Sequence, residues 1–255
     1  MRPRVFATAA ILALTLAASA TAITYGQADG NRHPFVGALV GTFSGGTYPY
    51  CSGTLISPTV FLTAAHCDIG TSRVDVTFVD QYTSKAKLYT GTYYANATYR
   101  QSQDDPQDLA VVVFDRPIKG ITPAKLPTAN LLDRLKADGT LNQRTKFTSV
   151  GYGGQEVPNG RPELTYFDAR EFSVGSFNAL GPGYLRLSQN QATGNAGTCY
   201  GDSGGPNLLG SGKTETTTIA GTTITGDVFC KSTNVTQRVD TAASRAFLGQ
   251  FVTLP

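Results

Sequence analysis

NAGTCYGDSGGP, residues 195–206, sets Ser203 among Gly201, Gly204 and Gly205, with Asp202 before it and Cys199 four positions earlier. A string rich in Gly, Asp and Ser builds tight turns in many β proteins. It also suits nucleophilic acyl transfer, which needs a hydroxyl, a base to take its proton, a group to orient the base, and donors for the oxygen that becomes negative. Ser203 would be the nucleophile. The backbone N–H groups of Gly201 and Ser203 would converge on the developing oxyanion, in a backbone that glycine leaves free to bend.

The base has few candidates, because the chain holds only His33 and His66. His66 lies in LTAAHC, where an apolar strand ends against Cys67, whereas His33, in GNRHPF, precedes a proline and reads as a surface residue. Four cysteines, Cys51, Cys67, Cys199 and Cys230, favour two disulfides in an exported chain, and spacing alone leaves three pairings open. With no CxxC and two histidines, zinc is a poor alternative. A bridge from Cys67 back to Cys51 would pin the loop that carries His66 and contribute about 3 kcal/mol.

For the orienting carboxylate, Asp108 stands where a polar loop enters the apolar strand of PQDLAVVVFD. Asp104 and Asp105 read as solvated, Asp115 heads the turn DRP, and a strand-capping role for Asp108 is the plain alternative.

Around these positions the chain reads as all-β. Short alternating or apolar runs such as PFVGALVGTF, VFLTAA, RVDVTFV, KFTSVGYG and YLRLS are separated by Gly, Pro, Asn and Asp clusters. Few windows carry helical periodicity, and the best is TAASRAFLGQFV, with Ala243, Phe247, Leu248 and Phe251 on one face. A proline-bearing linker at 118–130 divides the chain into 23–128 and 129–255, two β domains of similar size. The loop 154–163 reads as exposed. Residues 1–22, MRPR followed by an apolar run and ATA, have the layout of a signal peptide, too short to span a membrane. Their removal takes Arg2 and Arg4 and no acid, leaving a net charge of +1, which points to neither nucleic acid nor a membrane surface. A secreted, extracellular, monomeric protein is expected. The acceptor strings NAT at Asn96 and NVT at Asn234 read as chance matches, and SQDDPQD makes no convincing calcium loop.

TAAHC, DLAVV and GDSGGP, in that order and 42 and 95 residues apart between the marked side chains, resemble the chymotrypsin-like (trypsin-fold) serine proteases over essentially the whole mature chain. The resemblance implies two antiparallel six-stranded β-barrels with a short C-terminal helix and a triad of His66, Asp108 and Ser203. It also implies an oxyanion hole from Gly201 and Ser203, and disulfides 51–67 and 199–230. The family's further disulfide in the second barrel has no counterpart. ITYG resembles the family's mature N-terminus, which implies an ion pair between the Ile23 amine and Asp202. No Arg or Lys precedes Ile23, so signal cleavage itself would expose it.

In the substrate pocket, Gly197 stands where trypsin-like members carry an aspartate, with Thr198 beside it, Gly226 at the open wall next to Thr225, Asn234 near the far wall and Asp227 at the rim. That set implies an apolar or aromatic side chain before the cut bond. Protein or peptide substrates and protein inhibitors are the partners implied, with no cofactor and no metal. Two alternatives remain: a protease-like binding protein that does not cut, and an esterase using the same triad.

Overall fold

The computed structural model describes residues 23–156, 164–166 and 168–255. The signal-peptide reading for 1–22 and most of the expected loop at 154–163 lie outside the described residues.

Among the described residues, fifteen strands make up nearly all the regular structure. They are β1 (Gln27–Ala28), β2 (Val36–Phe43), β3 (Gly46–Ser57), β4 (Val60–Thr63), β5 (Arg73–Thr77), β6 (Tyr89–Ala95), β7 (Ala110–Phe114), β8 (Lys146–Gly151), β9 (Gln155–Glu156), β10 (Leu164–Thr165), β11 (Glu171–Leu180), β12 (Tyr184–Ser188), β13 (Pro206–Leu209), β14 (Ile219–Gly226) and β15 (Thr233–Arg238). Strands β2-β3-β4-β7-β6-β5 close into one antiparallel barrel. Strands β8, β11, β12, β15, β14 and β13 close into a second through the β11–β8 pairing, and β1 is added to its β11 edge. Closure removes the unpaired edges that open sheets expose.

The strand at 110–114 is a continuous apolar run because it is covered on both sides, with Ala110, Val111 and Val112 fully buried between β4 and β6. The second barrel is more polar. Strand β15 buries Asn234, Thr236 and Arg238, of which Asn234 donates to Asn207 Oδ1 and Arg238 to Asp240 Oδ1 and Gly181 O.

The stretch after β7 crosses between the barrels: Ala124 N donates to Leu55 O at 2.9 Å, and Lys125 bridges to Thr218 of the second half. It leads into α1 (Leu131–Ala137), which the sequence did not suggest, and the chain ends in α2 (Ala242–Leu248). In α2 the Thr241 hydroxyl accepts the Ser244 N–H at 3.2 Å. The buried face is Ser244, Phe247 and Leu248, while Ala243, expected inside, is exposed. Among the described residues no helix is long and apolar enough to cross a membrane.

A buried polar network ties the N-terminal segment to both barrels. Arg170, 1% exposed, donates to Asp29 Oδ2 at 2.7 Å, to the carbonyls of Val36 and Phe78 at 3.0 Å, and to that of Gly30 at 2.9 Å. A guanidinium is stable inside only when its donors are satisfied in this way. His33 belongs to the same network, which corrects its reading as a surface residue. It is 2% exposed, with Nδ1 on Asp29 and Nε2 2.9 Å from Glu215 Oε1. The proline after His33 did not foretell carboxylates arriving from elsewhere in the chain.

Candidate active site

Strand β4 delivers His66. Its backbone runs into a short turn at Ala65–Cys67, and Tyr93 of β6 holds that turn by donating its hydroxyl to Ala64 O at 2.6 Å. Asp108, 4% exposed at the entrance to β7, meets His66 twice: Oδ1 accepts the His66 backbone N–H at 3.0 Å, and Oδ2 lies 2.7 Å from ring Nδ1. The competing aspartates lie elsewhere. Asp105 accepts from Gln237 Nε2 at 2.8 Å, and Asp115 pairs with Arg73 at the surface.

The structure joins Cys51 to Cys67 and Cys199 to Cys230. The first bridge matters for the site. Its sulfurs lie within 4.8 Å of a His66 ring nitrogen, and Ser52, next to Cys51, donates its N–H to Ser203 O at 2.7 Å. One disulfide and one hydrogen bond thus connect the base segment to the nucleophile segment. Both sulfurs are oxidised, so they offer no thiolate to a metal.

Around Ser203 the chain turns sharply. Gly204 has φ +85°, and a Cβ there would stand 2.2 Å from both Ser52 O and Thr63 Oγ1, so no other residue fits. Gly204 N donates to Thr223 O at 2.8 Å, and Ser52 Oγ donates to Gly201 O at 2.8 Å. Among the described residues, the N–H groups of Gly201 and Ser203 donate to no protein acceptor. They are free to receive a developing negative oxygen.

Ser203, His66 and Gly201 line one cleft of about 770 Å³, along with the Cys199–Cys230 bridge, Thr198, Ile224 and Gly226. Tyr48, Tyr50, Tyr166 and Tyr200 also line it, and sequence reading gave these aromatics no role. Of the pocket residues expected from sequence, Thr198 and Gly226 line the cleft, while Gly197 and Asn234 do not. A Cβ on Gly197 would fall 1.8 Å from Gln189 Oε1, because the buried Gln189 side chain fills the space beneath it. Asn234 is 1% exposed and donates Nδ2 to Asn207 Oδ1 at 2.8 Å inside the barrel. Gln189 was missed because a polar residue at a strand end carries no distinctive signal. A sugar on either Asn96 or Asn234 would require Nδ2, which donates to Gln107 Oε1 at 3.4 Å in the first and points inward in the second.

Asp227 lines the cleft, but its carboxylate faces its own loop. It accepts N–H groups from Lys231 at 3.1 Å and from Ser232 and Thr233 at 2.8 Å. Partial burial opposes its ionisation, and those N–H donors outweigh it, so its pKa is lowered.

Asp202 is fully buried and accepts the N–H groups of Gly153 and Cys199, each at 2.8 Å. Burial pushes its pKa up to about 7 against those two donors, and the nearby charge of Glu171 adds to the rise. The ion pair expected between a free Ile23 amine and Asp202 belongs to a processed chain; in the intact chain Ile23 N is an amide. The Ile23 backbone N donates to Glu171 Oε2 at 2.8 Å. In the intact chain that nitrogen is a neutral amide with one hydrogen, so it can serve a single acceptor.

A family profile described as Trypsin matches residues 24–245. The chain is 27% identical over 193 residues to a protein named Trypsin from Saccharopolyspora erythraea, covering 72% of this chain and 79% of that one. It is 28% identical over 196 residues to the thrombin-like enzyme BjussuSP-1 of Bothrops jararacussu, covering 71% and 76%. It is 30% identical over 185 residues to glucanase inhibitor protein 3 of Phytophthora sojae, covering 64% and 63%.

Proposed function

Because the chain belongs to the trypsin family, we propose that it is a secreted serine endopeptidase working through Ser203, His66 and Asp108. The two-point hold of Asp108 on His66, in the cleft that Ser203 also lines, is the observation that carries this reading.

Neutral His66 takes the proton from Ser203 as Oγ attacks the substrate carbonyl, and the carbonyl oxygen gains its negative charge beside the N–H groups of Gly201 and Ser203. His66 then hands the proton to the leaving amine, and an acyl-enzyme remains. Water repeats the sequence, giving its proton to His66 and its hydroxyl to the acyl carbon, after which Ser203 recovers its hydrogen. Asp108 fixes the ring tautomer and balances the imidazolium that forms at each stage.

Substrates are proteins or peptides with an apolar or aromatic side chain before the cut bond. Gly197 carries no carboxylate, Gln189 fills the space under it, and Asp227 is turned to its own amides, so an Arg or Lys side chain finds no dedicated anion. A library of peptide amides tests this preference. Export follows from the layout of residues 1–22, and two disulfides suit an oxidising compartment.

The test of the activity is labelling by a fluorophosphonate. Stoichiometric modification of Ser203, abolished in His66→Ala, supports the peptidase. A folded chain that stays unlabelled supports the second reading, a binding protein on the same scaffold, which the similarity to a protein named as a glucanase inhibitor favours.

A further inference from the structure

Asp108 meets His66 from a bend in the chain. Gln107 before it holds φ +54°, and Leu109 N donates back to Gln107 O at 2.8 Å, so Asp108 stands at the centre of a three-residue turn. Among the described residues its carboxylate takes hydrogen bonds from His66 alone. No second donor steadies that side chain, and its aim depends on where the Asp108 backbone is fixed. The Asp108 N–H supplies a fixing bond, donating to Gln237 Oε1 at 3.2 Å.

Gln237 belongs to the other barrel. It is fully buried in β15, paired with Tyr184 of β12 on one side and Thr222 of β14 on the other. Its amide can face only one way. Nε2 donates to Asp105 Oδ1 at 2.8 Å, and an ionised carboxylate accepts from N–H groups but offers nothing to an amide oxygen, so Oε1 is turned to the Asp108 N–H. Asp105 is seated against the second barrel as well: a Cβ on Gly183 would fall 2.3 Å from its Oδ1, and Arg238 N donates to Gly183 O at 2.9 Å.

The same pair of strands carries the nucleophile loop. Thr223, next to Thr222 in β14, accepts Gly204 N at 2.8 Å and donates its N–H to Gly205 O at 2.9 Å. The Ser203 turn and Gln237 are thus held by one frame, β14 and β15, whereas Asp108 and His66 come from the first barrel.

We propose that Gln237 is a positioning residue for catalysis: by accepting the Asp108 N–H it registers the orienting carboxylate of the first barrel against the β14–β15 frame that carries Ser203. This rests on the reading of Ser203, His66 and Asp108 as a triad. Gln237 acts through Asp108, and it is not among the residues that line the cleft. Without its amide the buried N–H has no acceptor, and the turn shifts to find one, moving the carboxylate with it. A displacement of about 1 Å at a catalytic group can lower the rate on the order of 10²-fold.

The test uses the whole chain, expressed as wild type, as Gln237→Met, as Gln237→Glu, and as Gln237→Glu combined with Asp105→Asn. Turnover of a peptide amide gives kcat and KM. Proton NMR of the His66 Nδ1–H, assigned by its loss in His66→Ala, reports the bond to Asp108 without reference to activity, because a short bond to a carboxylate moves that resonance far downfield. Gln237→Met is expected to lower kcat by about 10- to 100-fold with KM held within about twofold, and to move the His66 proton upfield. Gln237→Glu sets two carboxylates against each other and is expected to fall by a similar factor. Adding Asp105→Asn restores the net charge of the wild type and supplies an N–H donor to the introduced carboxylate, whose other oxygen accepts the Asp108 N–H. The pair should therefore regain about tenfold of the loss and return the downfield resonance. A merely space-filling role gives no such recovery, because Gln and Glu have nearly the same shape. A folded Gln237→Met with wild-type kcat and an unmoved His66 proton overturns the proposal, and so does a pair no better than Gln237→Glu alone. If Gln237→Met does not fold, that second comparison decides. A wild type that neither cleaves nor labels refutes the peptidase reading, while the His66 resonance still decides the role of Gln237.

Discussion

Asp108 grips His66 through both carboxylate oxygens, one on the main-chain N–H at 3.0 Å and the other on ring Nδ1 at 2.7 Å. The same group thus fixes where the loop sits and which ring nitrogen is left for Ser203. Asp108→Asn keeps a side chain of the same shape but turns one acceptor into a donor, which selects the wrong ring tautomer. Turnover of a peptide amide is expected to fall on the order of 10⁴-fold, the size seen for this replacement in the Ser-His-Asp template, with little change in melting temperature. Steady-state kinetics beside a thermal melt checks both halves of the expectation.

The Cys51–Cys67 bridge closes a loop with a sequence separation of 16, and its sulfurs lie within 4.8 Å of a His66 ring nitrogen. Replacing both cysteines by alanine is expected to cost about 3 kcal/mol of stability, measured by urea unfolding. Fluorophosphonate labelling of the folded variant should drop further than that loss explains, since the tie between the Ser52 segment and the His66 turn is gone. Equal labelling rates for wild type and the folded double variant would remove the bridge from the catalytic argument.

The residues that gather in the cleft are more legible in the sequence than the polar strands beneath them. HC at 66–67, the D at the head of an apolar run and GDSGGP are compact signals, because each role demands a particular side chain at a particular point of the backbone. The apolar runs at 36–43, 60–63 and 110–114 were legible as strands for the same reason. Strand β15, TNVTQR, was not: its buried positions carry Asn, Thr and Arg, and Asn234 and Arg238 find partners in distant segments, at Asn207 and Gly181. The helix at 131–137 follows Asn130 in a left-handed conformation, where the prolines upstream read as linker. Long-range pairing also explains the misplaced residues. Nothing near Ile23 reveals that Glu171 lies 148 positions away within reach, and nothing near His33 reveals Glu215.

Gln189 lies behind the cleft wall at Thr198, which lines the cleft. It donates Nε2 to Thr198 O at 3.3 Å and fills the space under Gly197. Gln189→Ala should open space behind Thr198 and raise the kcat/KM ratio of large aromatic over small apolar substrates by about tenfold, within the range a few methylenes can give. Arginine substrates should remain poor in the same variant. A gain confined to arginine would instead reassign Asp227 as the group that reads the substrate.

Asp202 makes stability depend on pH in a direction opposite to that of most carboxylates. Its pKa rises from 3.8 to about 7 on folding of the chain in which Ile23 is still an amide. Between these values the unfolded chain has lost the proton and the folded chain retains it, so unfolding releases a proton and stability falls as pH rises from about 4 to about 7. A shift of roughly three units corresponds to at most about 4 kcal/mol across that window. Asp202→Asn should flatten the slope even though it weakens one of the two N–H contacts from Gly153 and Cys199, so the slope and not the absolute stability is the quantity to compare. In protein beginning at Ile23, an ammonium that came to face Asp202 would favour its ionised form, and the fall should then shrink or reverse. Urea unfolding at half-unit pH steps on the intact, processed and Asp202→Asn proteins separates the three cases: parallel curves for intact and processed chains would mean that the amine never reaches the buried acid.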